Sequence, residues 1–279
     1  MTLLGLIGNP VSHSLSPLMH TCTASKLGLN LRYLTVEVPT AESVGQTLTA
    51  LHDLGFRGLN VTIPYKEEAA RHACKLSGVS ELIGAVNVLT RVDDGWEGHN
   101  TDHTAVRDAV RERIGEGGFR ALVMGAGGSA RAVVAALLDS GAEEVIVANR
   151  TYSRALELAN LFTRSFGAKV VAVPLERARN EAKETKVVVN TIPAGLLKSA
   201  ELPLDSGDLR DDALLVDLVY GPEGSPMFRL AVSRGLALVD GIEVLARQAA
   251  HSFRLWTGIV CDHKSMEAVA RFAIRRWHS

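Results

Sequence analysis

Ala121-Leu122-Val123-Met124-Gly125-Ala126-Gly127-Gly128-Ser129-Ala130 joins a short apolar run to a glycine-rich turn. Apolar residues then recur at Ala130, Val133, Val134, Leu137 and Leu138, which is helical spacing. Gly141 supplies the left-handed stop that a helix end favours, and Glu144-Val145-Ile146-Val147-Ala148 reads as a second buried strand, completing a βαβ unit. Gly125, Gly127 and Ala130 fill the three positions of a GxGxx(G/A) fingerprint. The first permits the tight turn, the second lets a pyrophosphate approach the backbone, and the third lets helix and strand pack closely. Unpaired N–H groups and the positive dipole end at the helix start suit the same pyrophosphate. Gly-rich turns that merely reverse a chain are common, but the strand before this one and the amphipathic helix after it favour a dinucleotide site made by Gly125, Ala126, Gly127, Gly128, Ser129 and Ala130.

The second strand ends in Asn149-Arg150-Thr151-Tyr152-Ser153-Arg154, where a site for NAD would carry an acidic residue against the ribose 2′-hydroxyl. Guanidinium groups from Arg150 and Arg154, with the amide of Asn149 and the hydroxyl of Thr151, suit a 2′-phosphate, which a carboxylate would repel. The expected cofactor is therefore NADP. The plainer alternative makes Arg150 and Arg154 a solvated i,i+4 pair on one helix face, an arrangement in which like charges repel.

A length of 279 residues accommodates one large or two ordinary domains, and 47% hydrophobic with 22% charged residues describes a globular chain. The formal net charge of −1 argues against nucleic acid as a partner. Residues 1–8 are apolar but broken by glycines and lack a basic lead, so they read as a strand rather than a signal peptide, and no apolar run reaches membrane-spanning length. Cys22, Cys74 and Cys261 are odd in number and widely spaced, which fits reduced thiols in a cytoplasmic protein and gives no metal site. His13, His99 and His103 lie near motifs but are read as bystanders. A monomer or homodimer acting on a small molecule is the expectation.

Outside the βαβ unit, strand and helix alternate from the start. Strands are expected at 3–7, 33–38, 58–62 and 85–90. A helix opens at Ser16-Pro17, with Ser16 as N-cap, and ends near Gly28; others are expected over 42–54 and 65–75. After Arg154 come a helix to about 166, strands at 169–173, 186–190 and 214–218, a connection over 195–212 and a loop at 222–226. A helix at 228–234, a strand at 236–239 and two closing helices over 242–256 and 265–277 complete the chain. This pattern predicts an α/β protein with mainly parallel sheets.

Asn60-Val61-Thr62-Ile63-Pro64-Tyr65-Lys66 puts polar groups at the carboxyl end of a strand, where open α/β sheets bind ligands, and Pro64 restrains the backbone leading to Lys66. Gly98-His99-Asn100-Thr101-Asp102 forms a second polar junction, where Thr101 or Asp102 could simply be a helix cap. Together with Gly8-Asn9-Pro10-Val11-Ser12-His13-Ser14-Leu15-Ser16-Pro17, Gly84-Ala85-Val86-Asn87, the glycine loop, Asn149-Arg150-Thr151, Asp217-Leu218-Val219-Tyr220 and the stretch from Gly241 to Gln248, these motifs make the chain resemble the shikimate dehydrogenase family along nearly its whole length. Val88, Ala105 and Gly221 depart from that family's usual residues.

The resemblance implies an N-terminal α/β substrate domain over 1–104 and a Rossmann-like NADP domain over 105–241; from the order of the elements and motifs, closing helices over 242–279 are expected to pack back on the first domain and the cleft to shut by a hinge. It implies reversible NADPH-dependent reduction of 3-dehydroshikimate to shikimate, a step of chorismate and aromatic amino-acid biosynthesis. Lys66 and Asp102 become the catalytic pair. Ser14, Ser16, Asn60, Thr62, Asn87, Tyr220 and Gln248 hold the substrate, and Leu218 and Gly241 line the nicotinamide. The chemistry agrees, since hydride addition to a ketone leaves an alkoxide that needs a proton donor, and a polyol needs uncharged hydrogen-bonding side chains. The competing expectations are a paralogue oxidising quinate or aminoshikimate, and a non-catalytic dinucleotide sensor that needs only the glycine loop and Arg150.

Overall fold

The computed structural model describes residues 1–115, 117–193, 202–221 and 224–276. Parts of the expected 195–212 connection and 222–226 loop, and Trp277 of the last expected helix, lie outside the described residues. The chain divides into two compact units, Met1–Asp102 with Ala246–Ser279, and His103–Leu245.

The first unit runs β1 (Thr2–Gly8), α1 (Ser16–Lys26), β2 (Leu31–Glu37), α2 (Ser43–Asp53), β3 (Phe56–Val61), α3 (Lys66–His72), β4 (Lys75–Leu76), α4 (Val79–Ile83), β5 (Val88–Val92) and β6 (Gly95–His99). Its sheet has the order β2-β1-β3-β5-β6-β4. β1 pairs in parallel with β2 and β3, as the alternation of strand and helix predicts. β5 is antiparallel to both β3 and β6, so this half of the sheet is a hairpin rather than a crossover. The strand expected at 85–90 therefore starts later, at Val88, and β4, α4 and β6 are additions to the expected elements. The α3 helix stops at His72, short of the expected 75, because Ala73 turns to extended backbone and β4 pairs with β6. Ser16 is the first helical residue of α1 rather than its cap; Leu15 occupies the cap position, and the Ser14 hydroxyl accepts from the Ser16 N–H at 3.2 Å.

Val44, Leu48 and Leu51 of α2, at the expected helical spacing, pack with Ile7, Leu59, Val61, Tyr65, Leu89 and Trp96 into one core. The closing helices α10 (Gly241–Thr257) and α11 (His263–Ile274) end the chain. Within the first unit Trp256 of α10 is buried, donates its indole N–H to the Leu89 carbonyl at 3.0 Å, and lies where a Cβ on Gly58 would stand, 2.1 Å from the ring. Only glycine lets β3 run beneath that indole.

The second unit contains α5 (Thr101–Ile114, shared at its first two residues with the first unit), β7 (Phe119–Met124), α6 (Gly128–Asp139), β8 (Ala142–Asn149), α7 (Tyr152–Phe166), β9 (Val170–Pro174), α8 (Ala178–Ala182), β10 (Val187–Asn190), β11 (Leu214–Asp217), α9 (Pro226–Arg234) and β12 (Ala237–Val239). The sheet order is β12-β11-β10-β7-β8-β9 and every pairing is parallel. The order in which strands are added reverses between β7 and β10, the topological switch point of a doubly wound Rossmann sheet, and the ends of these strands are where such sheets bind dinucleotides. Ala121–Met124 of β7 and all of β10 are buried on both faces, which is why they read as apolar runs rather than as alternating ones.

Candidate functional site

In the first unit the polar residues converge. The turn after β3 closes by a Tyr65 N–H to Thr62 carbonyl hydrogen bond of 3.0 Å, and the buried Tyr65 hydroxyl donates to the Val38 carbonyl at 2.8 Å, so α3 starts from an anchored residue. Lys66 is the first residue of that helix, and its carbonyl accepts from the Val86 N–H at 2.9 Å, tying it to the segment that carries Asn87. The Lys66 ammonium donates to Asp102 Oδ2 at 2.6 Å, with both side chains almost buried. Asn87 Nδ2 donates to the other carboxylate oxygen, Oδ1, at 2.9 Å. Each oxygen of Asp102 thus has its own donor, which fixes the plane of the carboxylate.

Asn87 also explains the polar junction before α5. Its Oδ1 accepts the Thr101 N–H at 2.7 Å, so the helix is capped from across the chain, and neither Thr101 nor Asp102 is the cap. The Asn87 amide nitrogen further approaches Thr101 Oγ1 at 3.0 Å and Gln248 Oε1 at 3.3 Å. Asn60, nearly fully buried, donates to the Asn87 carbonyl at 3.1 Å. Ser16 is buried, while Ser14 and Thr62 are half-buried. Of the expected substrate set, Ser14, Ser16, Asn60, Thr62, Asn87 and Gln248 all belong to this unit with Lys66 and Asp102, whereas Tyr220 belongs to the second.

Two further polar residues join this network, and a third packs against it, without having been singled out from sequence. Tyr33 of β2 donates its hydroxyl to Asn60 Oδ1 at 2.7 Å, and Ser252 of α10 accepts from Asn60 Nδ2 at 3.2 Å and lies 3.2 Å from Thr101 Oγ1. His20 stacks on the Tyr33 ring at 4.7 Å and 7°. A signal existed for two of them: His20 is four residues from Ser16 and Ser252 four from Gln248, so each lies on the same helix face as an expected site residue. Tyr33 shares the inward face of β2 with Leu31.

His20 is fully buried and neither ring nitrogen has a hydrogen-bond partner. Burial pushes its imidazole down from 6.5 to about 3, with the neighbouring Asn60 amide only partly opposing this. The unfolded chain then binds a proton that the folded chain refuses, so this contribution to stability is present above pH 6.5 and is lost as pH falls toward 3. His20→Phe keeps a ring in the stack and sacrifices no hydrogen bond. From about pH 8 to about pH 5 the natural protein should lose ~2 kcal/mol more unfolding free energy than His20→Phe. Parallel pH profiles of urea unfolding for the two proteins would contradict this.

In the second unit, Gly125 ends β7 with φ +112°, and a Cβ there would meet Thr191 Oγ1 at 2.2 Å, so both conformation and space demand glycine. Gly127 occupies the N-cap position of α6 in extended backbone, and beyond its own chain neighbours nothing in the protein lies within 4 Å of where its Cβ would stand. That open face, directly before the half-buried Gly128 and Ser129 and the first N–H groups of α6, fits a pyrophosphate approaching the backbone, while Ala130 is fully buried against the sheet. Ala126 completes the turn. At the end of β8, Asn149 Nδ2 donates to the Thr151 carbonyl at 2.9 Å. Thr151 is the cap residue of α7, so Arg150 precedes the helix and is not on one helix face with Arg154. Both arginines are exposed, which fits a 2′-phosphate.

The adjoining strand ends hold Leu218. Asp217 is buried, and its Oδ1 accepts from Asn190 Nδ2 and from the Val219 N–H, each at 3.0 Å, which fixes the direction in which the chain leaves β11. Burial pushes the Asp217 carboxyl up, against the pull of the Ser225 hydroxyl and these donors. A Cβ on Gly241 would stand 2.4 Å from the Val219 carbonyl oxygen, so glycine lets the start of α10 touch the backbone between Leu218 and Tyr220. Among the described residues no helix is long and apolar enough to cross a membrane.

Comparison with known proteins finds family matches along most of the chain. Residues 6–89 match the family described as shikimate dehydrogenase substrate binding domain, residues 111–218 the shikimate / quinate 5-dehydrogenase family, and residues 241–271 the shikimate 5′-dehydrogenase C-terminal domain. A relative named shikimate dehydrogenase (NADP(+)) from Methanopyrus kandleri is 39% identical, over 91% of this chain and 90% of its own. The crystal structure of shikimate 5-dehydrogenase from Thermus thermophilus in complex with NADP(H) and shikimate superposes with a TM-score of 0.85 at 38% identity, covering 98% of this chain and 100% of that one. A quinate dehydrogenase from Corynebacterium glutamicum in complex with NAD gives 0.86 at 29% identity, covering 96% and 98%. Two α/β units with a lysine–carboxylate pair in one and a switch-point glycine loop in the other, matched by these families in the same order along the sequence, mean that the chain belongs to the shikimate dehydrogenase family.

Proposed function

We propose that the chain catalyses the reversible, NADP-dependent reduction of 3-dehydroshikimate to shikimate on the route to chorismate and the aromatic amino acids, with Lys66 as proton donor and acceptor. The observation that carries this reading is the 2.6 Å contact of Lys66 with Asp102, whose second oxygen is held by Asn87. When bound, NADPH supplies the hydride that converts the ketone carbon to an alcohol. Lys66 gives a proton to the carbonyl oxygen as negative charge develops on it, and takes one back in the reverse direction. Asp102 orients the ammonium and keeps its charge compensated where water is scarce. The neutral groups of Ser14, Ser16, Asn60, Thr62, Asn87 and Gln248 supply hydrogen bonds to the ring hydroxyls and carboxylate. Gly125 to Ala130, Leu218 and Gly241 cradle the dinucleotide, and Asn149, Arg150, Thr151 and Arg154 take its 2′-phosphate.

Purified protein given NADP+ and either shikimate or quinate tests the reading. Shikimate should be oxidised with at least a tenfold higher kcat/KM than quinate, the order of discrimination that one unmatched polar group commonly produces. A preference for quinate, or no oxidation of either, would contradict it.

A further inference from the structure

Asn60 makes three side-chain hydrogen bonds, and they settle which way round it works. The Asn87 main-chain carbonyl can only accept, so the Asn60 atom 3.1 Å from it is the amide nitrogen. The second N–H of that nitrogen goes to Ser252 Oγ at 3.2 Å, whose own hydroxyl is held by the Gln248 carbonyl at 2.8 Å. One lone pair of Oδ1 is taken by the Tyr33 hydroxyl at 2.7 Å. An amide offers two donors and two lone pairs. Three of the four are used in hydrogen bonds inside the protein, and one acceptor site remains on Oδ1, on the amide that also acts on the buried His20 imidazole.

Tyr33 is built to stay where it is. Its ring lies flat on His20, and Trp256 tilts against it at 6.3 Å and 52°. Burial raises the phenol far above its ordinary range, with the nearby Ser16 hydroxyl opposing, so the O–H remains a donor. We propose that Tyr33, together with Ser252, is a positioning residue for substrate recognition: the two lock the Asn60 amide as an acceptor-only group, which selects a substrate hydroxyl, and not a carboxylate oxygen, as its partner. This rests on the reading of Asn60 as a substrate-holding residue. It adds two side chains, on β2 and α10, that never need to touch substrate yet set the polarity of one that does.

Double-mutant cycles separate this role from a structural one. Tyr33→Phe keeps the stacked ring and removes the donor to Asn60 Oδ1 together with the contact to the Ser16 hydroxyl, and Ser252→Ala removes the acceptor for Asn60 Nδ2 together with the bond to the Gln248 carbonyl and the contact with Thr101 Oγ1. Each should raise the KM for shikimate about five- to tenfold, leaving the KM for NADP and kcat within about twofold. Asn60→Ala should raise the shikimate KM at least as much, and adding Tyr33→Phe or Ser252→Ala to Asn60→Ala should change nothing further. Losses that multiply in the double variants, a Tyr33→Phe enzyme with unchanged shikimate KM, or an NADP KM that rises in parallel would overturn the inference alone. An Asn60→Ala enzyme with an unchanged shikimate KM would overturn the reading of Asn60 and the inference with it. If Tyr33→Phe does not fold, the Ser252→Ala cycle decides by the same criterion.

Discussion

Lys66→Met is expected to lower kcat for shikimate oxidation by roughly 10²–10⁴ while the KM for shikimate stays within a few-fold. Methionine keeps the unbranched stem and loses only the ammonium, so the packing of the side chain at the start of α3 survives and the proton acceptor disappears. The loss falls on the transition state because a proton moves only there; it corresponds to about 3–5 kcal/mol of barrier. Asp102 retains the Asn87 donor at 2.9 Å, so its carboxylate is not left without a hydrogen bond. Were Lys66 a clamp for the substrate, the same change would raise KM and spare kcat. Steady-state kinetics with shikimate varied at saturating NADP+ distinguishes the two.

Arg150→Asp is expected to erase or reverse the preference for NADP over NAD. A charge-assisted hydrogen bond to phosphate is worth about 1.5–3 kcal/mol, or roughly 10- to 150-fold in kcat/KM for NADP. The aspartate adds repulsion of the 2′-phosphate and offers the ribose 2′-hydroxyl of NAD an acceptor, so the two cofactors move in opposite directions. Arg150 sits outside α7, ahead of the cap residue Thr151, and its replacement removes no helical contact. The check is kcat/KM for both cofactors in both proteins. An unchanged ratio in the variant would remove Arg150 from the phosphate site.

How far these side chains were legible in the sequence depends on whether a local rule governs them. Gly125 and the βαβ unit around it were readable because a positive φ, a helix start and buried apolar strands are written in adjacent residues. The β5–β6 hairpin was missed although Asp93-Asp94-Gly95 carries a turn signal with Gly95 at φ +137°. Its strands are short, and the alternation of strand and helix elsewhere favoured a parallel continuation. The two-residue β4 has no period of its own and exists only through its pairing with β6. Lys66 and Asp102 were singled out from motifs, but nothing local announced that Asn87 caps α5 from the neighbouring segment and holds the free oxygen of Asp102. Tyr33, His20 and Ser252 were hidden for the same reason. A tyrosine in a strand and a histidine on a core-facing helix side read as ordinary packing until the fold brings them against Asn60.

The proton-transfer role of Lys66 is tested most directly in a single turnover, by rapidly mixing enzyme with saturating shikimate and NADP+ and following the first formation of NADPH. Saturation removes binding from the observed rate. The natural protein should complete that turnover at least about 100-fold faster than Lys66→Met, with the gap unchanged as shikimate is raised further. A Lys66→Met enzyme that reaches the natural first-turnover rate once shikimate is high enough would show that the lysine binds substrate and does not carry its proton.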